Sequence, residues 1–250
     1  MHEAISQQLI LIVALTFFLA GMVKGVTGMG LPTVAMGVLG ALMPPAAAAS
    51  MLIIPSFVTN VWQLFAGPRF AVLALRLWPM MLGIVVGTIA GSWLLINAST
   101  GWTTTGLGAA LALYAAFSLW ARPLSVPARA EHWLSPVVGL TTGMVTGGTG
   151  VFVIPAVPYL QALGLNKDDL IQALGLAFTI STVALAIGLA RGGAFHFASI
   201  ATSAYAIVPA LMGMWFGQRI RQYIAPATFR RWFLICLALL GLELTVRPFV

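Results

Sequence analysis

Apolar segments follow one another along almost the whole chain, at 6–23, 30–43, 46–66, 71–96, 102–120, 134–146, 151–163, 168–190, 195–218 and 228–246, with no long polar loop between them. Segments packed this closely leave no polar surface to offer to water. Only 7% of the residues are charged and 60% are hydrophobic, whereas a soluble domain carries about 25% charged residues. Lipid must therefore cover the outside, and each helical crossing takes about 20 apolar residues. The chain reads as one polytopic, all-α transmembrane domain. The first segment, within MHEAISQQLILIVALTFFLAG, lacks the basic start and the A-x-A-like end of a signal peptide, so it is read as a retained membrane helix.

Lys and Arg number 12 against 5 Asp and Glu, and the isoelectric point is near 10.6. These basic residues stand singly or in pairs between apolar runs, as topology-setting charges do. They form no single basic face, so nucleic acid is not an expected partner. The one cysteine, Cys236, lies in an apolar run and is expected to be a small buried side chain, with no disulfide framework and no metal site.

Six of the apolar segments are long enough to cross a membrane. The other four form two short pairs, 6–23 with 30–43 and 134–146 with 151–163, each joined by a glycine-rich stretch. Those stretches belong to a repeat. Gly21-Met22-Val23-Lys24-Gly25-Val26-Thr27-Gly28 matches Gly143-Met144-Val145-Thr146-Gly147-Gly148-Thr149-Gly150 at six of eight positions, at an offset of 122 residues. The same offset pairs Leu52 with Leu174, Val61 with Val183 and Arg69 with Arg191. Further on, Pro79, Gly83 and Gly87 match Pro209, Gly213 and Gly217 at an offset of 130. Two repeats are expected, residues 1–122 and 123–250, forming one transmembrane domain.

Charge then chooses between two topologies. If each glycine-broken pair made one crossing, six basic residues would face one side and five the other. If each pair enters and turns back as a hairpin, nine lie on one side (Arg69, Arg76, Arg122, Arg129, Lys167, Arg219, Arg221, Arg230 and Arg231) and two on the other (Arg191 and Arg247). The positive-inside rule favours the second arrangement. It has two hairpins and six full spans, three per half, and an odd number inverts one half relative to the other. That is the inverted-repeat architecture of secondary transporters, about eight hydrophobic segments, or ten if hairpin arms are counted separately. The competing reading is an eight-crossing bundle with parallel halves.

Hairpin arms of about 13–18 residues would end within the bilayer, where irregular backbone is tolerated only inside protein or beside a water-filled cavity. Glycines there leave amide groups uncovered, and the second arm of each hairpin would aim its positive end at the cavity. Two such tips, Gly25, Gly28 and Gly30 in one and Gly147, Gly148 and Gly150 in the other, form a candidate anion site, with the hydroxyls of Thr27, Thr146 and Thr149 as further donors. Lys24, the one basic residue well inside an apolar stretch, stands at the first tip and is a candidate partner for a substrate anion; the alternative is snorkelling to water. Asn60 and Gln63 share a helix face with Ser56, and Ser181 and Thr182 lie near the equivalent places in the second half. These four are candidate cavity-lining residues, with interhelical hydrogen bonding as the other reading. The Gly83, Gly87, Gly91 and Gly213, Gly217 stripes read as helix-packing surfaces. Arg69 and Arg191 are expected to anchor at interfaces, and Asp168 and Asp169 to form a solvated helix start. No G-x-S-x-G is present, the three histidines lack metal-ligand spacing, and no Asp falls inside a span, so no enzyme, no catalytic residue and no cofactor is expected.

Gly21-x3-Gly25-x2-Gly28-Met29-Gly30, an apolar arm containing a proline and a Pro-Pro-Ala-Ala helix start resemble the TauE/SafE sulfite exporter family. Residues from Gly143 to Pro155, followed by Leu163-Gly164-Leu165, resemble that family's second repeat, and the likeness covers about 6–246. Family members often carry three glycines where Gly28-Met29-Gly30 stands here. The resemblance implies a multi-pass transporter in the cell membrane, the bacterial inner membrane, that exports sulfite, an organosulfonate or a related small anion. The expected mechanism is alternating access, with the anion held at the midplane between the tips. With no carboxylate deep in a span, export by uniport down the membrane potential is expected. An anion channel is the alternative, and a membrane-embedded enzyme or assembly factor a more distant one.

Overall fold

The computed structural model describes residues 2–120, 124–194, 203–221, 223 and 226–249; Arg122 and residues 195–202 of the expected ninth segment lie outside the described residues. Among the described residues there is no strand. The helices are α1 (His2–Thr27), α2 (Leu31–Leu42), α3 (Pro45–Leu64), α4 (Phe70–Asn97), α5 (Thr100–Trp120), α6 (Ala128–Thr149), α7 (Ala156–Ala162), α8 (Lys167–Arg191), α9 (Ile207–Ile220) and α10 (Pro226–Val246), followed by a 3-10 turn, Arg247–Phe249. Five stretches are long and apolar enough to cross a membrane: Ile10–Thr27, Pro45–Leu64, Phe70–Asn97, Lys167–Arg191 and Ala227–Phe249. The chain is a multi-pass, all-helical membrane protein. Its outer surface carries Leu75, Trp78, Trp93, Leu113, Trp120 and Trp232, side chains that lipid accommodates and water does not.

Four of the expected spans correspond to α3, α4, α8 and α10. The expected span at 102–120 is the 21-residue α5, whose first nine residues hold four threonines and three glycines and so lower its hydropathy. The first arms of the two broken pairs are longer than the sequence suggested. Helix α1 has 26 residues and α6 has 22, about 39 and 33 Å at 1.5 Å per residue. Gly21, Gly25, Gly143 and Gly147 do not interrupt them. The breaks fall at Gly28 (φ 79), Gly30 (φ 104) and Gly150 (φ 72), which adopt left-handed backbone that only glycine enters freely. The second arm at 151–163 is also shorter than expected, because α7 starts at Ala156. Pro155 disfavours helical backbone at the residue before it, so the chain stays irregular from Val151 to Pro155.

Glycine stripes set the main contacts. Gly83 faces 136–140 of α6, Gly87 faces 140–144 and Gly91 faces 144–148. The numbers rise together, so α4 and α6 run parallel. A Cβ built on Gly83 would stand 2.6 Å from the Pro136 carbonyl oxygen, so only glycine permits this approach. The same arrangement joins α1 to α9: Gly21 faces 210–214, Gly25 faces 214–218, and Gly217 faces Met22 and Gly25. Gly188 lies against Ser92 and Gly192 against Ile96, so α4 and α8 are parallel too. Helices α3 and α8 cross in opposite directions. Asn60 meets Thr182, Gln63 meets Ile171, and Arg69 pairs with Asp169 at 2.8 Å. Helices α5 and α10 are likewise antiparallel, with Gly108 beside Gly241 and Thr245 and Gly241 beside Ala112.

Two single-residue expectations are corrected. Asp169 is buried rather than solvated, because Asn166 caps its backbone N–H and Arg69 supplies a counter-charge. Cys236 is exposed on the outer face of α10. In a membrane chain an apolar residue is as well placed against lipid as in the core, so hydropathy alone does not decide which way it points.

Candidate functional site

Near the end of α1, one turn before the first glycine break, Lys24 is 3% exposed. Its ammonium donates to Thr59 Oγ1 at 3.1 Å and to Asn60 Oδ1. Asn60 Nδ2 donates onward to Thr182 Oγ1 at 3.2 Å, and that hydroxyl donates to the Phe178 carbonyl at 2.7 Å. Thr59 returns its proton to the Pro55 carbonyl at 2.8 Å. Pro55 has no N–H to give to Met51, and Ser203 Oγ fills that place at 2.7 Å from the Met51 oxygen. Lys24 therefore sits in a polar layer held across α1, α3 and α8. Two of its three ammonium protons are used by neutral oxygens. No carboxylate stands within 4.0 Å of it among the described residues, whose ion pairs are Arg69–Asp169, Arg76–Glu131 and Arg247–Glu243.

Beside Lys24 is a cavity of about 210 Å³. Its polar lining is Lys24, Gln63, Gln218 and Arg221; Gly25 and Gly28 supply bare backbone, and Trp62, Ala66, Ile171 and Met214 the apolar walls. Gln63 spends both amide protons, on the Gly28 carbonyl at 2.9 Å and the Ile171 carbonyl at 3.0 Å. Its Oε1 is buried without a partner. The amide thus ties the first break to the start of α8, while positive charge in the cavity comes from Lys24 and Arg221.

The residues expected from sequence separate into three places. Lys24, Gly25, Gly28 and Gln63 share the cavity. Asn60 and Thr182 form the layer behind Lys24, and the neighbouring Ser181 hydroxyl is buried without a partner. The second break stands elsewhere. Gly147 packs on Thr88 and Ser92, Gly148 lies 4.0 Å from the Gly91 carbonyl, and Gly150 abuts Met36. The threonines expected as anion donors bond locally instead. Thr27 Oγ1 is 2.9 Å from the Val23 oxygen and 2.7 Å from the Met29 oxygen. Thr146 Oγ1 donates to the Val151 carbonyl at 3.3 Å, and Thr149 Oγ1 donates to that of Val145 at 2.7 Å. Gly30 caps α2 with Val23 at 3.1 Å from the place of its missing Cβ. Helix α7 has seven residues and begins six positions past Gly150, so its positive end is not at that break.

Sequence reasoning missed Gln218 and Arg221. The signal was present. Gly213 and Gly217 mark the face of α9 that meets α1, and Arg221 lies one turn beyond Gly217 on that face. Among the described residues no group of three His, Cys, Asp or Glu side chains is placed to hold a metal ion.

The fold and the cavity define a multi-pass helical membrane protein with a buried lysine and a small positively charged cavity beside its first glycine break. The family model described as sulfite exporter TauE/SafE matches residues 13–244, and the chain belongs to that family. Membership implies a membrane transporter of sulfur anions. No match was found among curated proteins or among solved structures.

Proposed function

We propose that this protein exports a small sulfur-containing anion, sulfite or an organosulfonate, across the cell membrane by alternating access between two inverted repeats. The observation that carries the reading is Lys24. An intramembrane charge is costly and calls for a partner, and here it borders a cavity with two features that have no partner among the described residues: the third ammonium proton and the neighbouring Arg221. A substrate anion supplies what the side chain lacks. In this reading Lys24 and Arg221 bind the anion, Gly25 and Gly28 let it approach the backbone, and Gln63 holds the break in place. Asn60, Ser181 and Thr182 form the layer that must open for passage, and the packed second break (Thr146, Gly147, Gly148, Thr149 and Gly150) is the counterpart on the other side.

Several contacts support inversion. Under the 122-residue offset Asn60 becomes Thr182, so the Asn60–Thr182 hydrogen bond joins a position to its own counterpart. Such a contact belongs on a two-fold axis. The α1–α9 pairing becomes the α6–α4 pairing when the halves are exchanged. Helix α1 runs parallel to α3, since Lys24 meets 59–60 and Gly28 meets Gln63. As α3 opposes α8 and α8 is parallel to α4 and α6, the equivalent helices α1 and α6 point in opposite directions. The Arg69–Asp169 pair also supports the nine-against-two distribution, because the eight-crossing alternative places Arg69 and Lys167 on opposite sides.

The test is efflux of radiolabelled sulfite from proteoliposomes by the parent, Lys24→Gln, Gly28→Leu and Gly150→Leu, each checked for folding by size-exclusion profile. The expected result is efflux by the parent and at least tenfold slower efflux by well-folded Lys24→Gln and Gly28→Leu. Parent-like rates in Lys24→Gln would remove the proposed site. Export is proposed to be uniport driven by the potential, about 2.3 kcal/mol per charge per 100 mV; efflux that needs a pH gradient even under a favourable potential contradicts that part. Single-channel currents would instead identify an anion channel.

A further inference from the structure

A second cavity, away from the one proposed to carry substrate, lies between the end of α5 and the start of α10. It measures about 550 Å³ and is lined by Ser118, Leu119, Trp120, Arg230, Arg231 and Leu234, among others. We propose that it binds the phosphodiester headgroup of an anionic membrane lipid, with one acyl chain against its apolar wall.

Charge is the first argument. Arg230 and Arg231 are adjacent and stand in the first turns of α10, near the end where the helix dipole disfavours cations. The chain has five carboxylates. The three that form ion pairs among the described residues, Glu131, Asp169 and Glu243, are paired with Arg76, Arg69 and Arg247. Two neighbouring guanidiniums that share a cavity and have no ion-pair partner among the described residues call for an anion from outside the chain. A phosphodiester suits them, because guanidinium forks match phosphate oxygens, and Ser118 adds a hydroxyl.

Shape and position select a lipid over a soluble anion. The same cavity has an apolar wall of Leu119, Leu234 and Ile235, which free phosphate does not use. Trp120, Tyr223 and Trp232 around this end of the bundle are 79%, 85% and 65% exposed, the placement of aromatic side chains at the headgroup level. This is also the end that carries Arg221, in the cavity with Ala66, and Arg69. Basic pockets between helices on such an end attract anionic headgroups.

The purified protein in zwitterionic detergent is titrated with phosphatidylglycerol, phosphatidylcholine, glycerol phosphate and inorganic phosphate, with binding read by native mass spectrometry. The parent is expected to retain phosphatidylglycerol far more tightly than phosphatidylcholine. Arg230→Gln/Arg231→Gln is expected to bind phosphatidylglycerol about thirtyfold more weakly, and Arg247→Gln, at the other end of α10, to bind it as the parent does. The Arg230→Lys/Arg231→Lys variant keeps the charge and is expected to fall between, which separates recognition from a folding defect. Equal retention of the two lipids by the parent overturns the proposal, as does unchanged phosphatidylglycerol binding in the double Gln variant. Full displacement by inorganic phosphate or glycerol phosphate at the lipid's own concentration also overturns it, since the cavity would then be a soluble-anion site. None of these results depends on whether sulfite is transported.

Discussion

Lys24 shows how far one residue can be read before a structure is known. A lone lysine in an apolar run either reaches water or holds a partner, and sequence cannot decide between these outcomes. In the fold its ammonium reaches Thr59 and Asn60 on α3, and it is almost fully buried. A buried charge with neutral partners is expensive. Lys24→Met is therefore expected to keep or raise the melting temperature in detergent while sulfite efflux is lost. A large drop in melting temperature would mean that the lysine holds the bundle together instead. The glycines of the two breaks differ from one another in the same way. A Cβ at Gly28 meets nothing within 4 Å, so Gly28→Ala carries only the left-handed backbone penalty, about 1–2 kcal/mol. Detergent melting curves of Gly28→Ala and Gly150→Ala test this. The second should be the less stable, because Met36 already stands 2.9 Å from the place of its Cβ.

At the scale of elements, close glycine-lined helix pairs work alongside a core of large buried side chains that includes Phe17, Tyr114, Phe152 and Phe178. Gly87 faces 140–144 of α6, and a side chain there must push the two helices apart. Gly87→Leu is expected to cost about 1–3 kcal/mol or to prevent assembly. Gly101→Ala, whose Cβ meets only Pro248 at 3.5 Å, is expected to be neutral within about 0.5 kcal/mol. Denaturant titration in mixed micelles reads both, and equal stability of Gly87→Leu and parent would show that α4–α6 packing is dispensable. The same stripes explain why the glycine motif could be read in sequence as both a tip and a packing surface. Gly21, Gly25, Gly143 and Gly147 pack inside continuous helices, and within the two motifs it is Gly28, Gly30 and Gly150 that turn the chain.

For the whole molecule the issue is which loops share a side of the membrane. The Arg69–Asp169 pair ties the α3–α4 turn to the start of α8, and Gly192 beside Ile96 ties the ends of α8 and α4 together. With Cys236, which is exposed, replaced by Ser, single cysteines at Pro68 and Lys167 are expected to react with an impermeant reagent from one side of sealed vesicles. Cysteines at Ser99 and Arg191 should react from the other. Labelling of Pro68→Cys and Lys167→Cys from opposite sides would restore the eight-crossing bundle with parallel halves.

The all-helical class, the glycine-rich breaks and the membrane environment were legible in the sequence, because hydropathy and glycine spacing act locally and leave a periodic trace. Orientation of individual faces was not. In lipid an apolar residue gains as much outside as inside, so Cys236 could not be placed; α1 outruns its expected length because Gly21 and Gly25 pack against α9 within a continuous helix. What the breaks do was also beyond local reasoning. The cavity is made by α1, α3, α8 and α9 converging, and its second cation, Arg221, lies 197 positions from Lys24. The hydroxyls of Thr27 and Thr146 bond to the Met29 and Val151 carbonyls in the irregular backbone of their own breaks, and Thr149 bonds back to Val145 within its own helix. Only the packing of distant helices decided which polar groups had partners and which were left facing space.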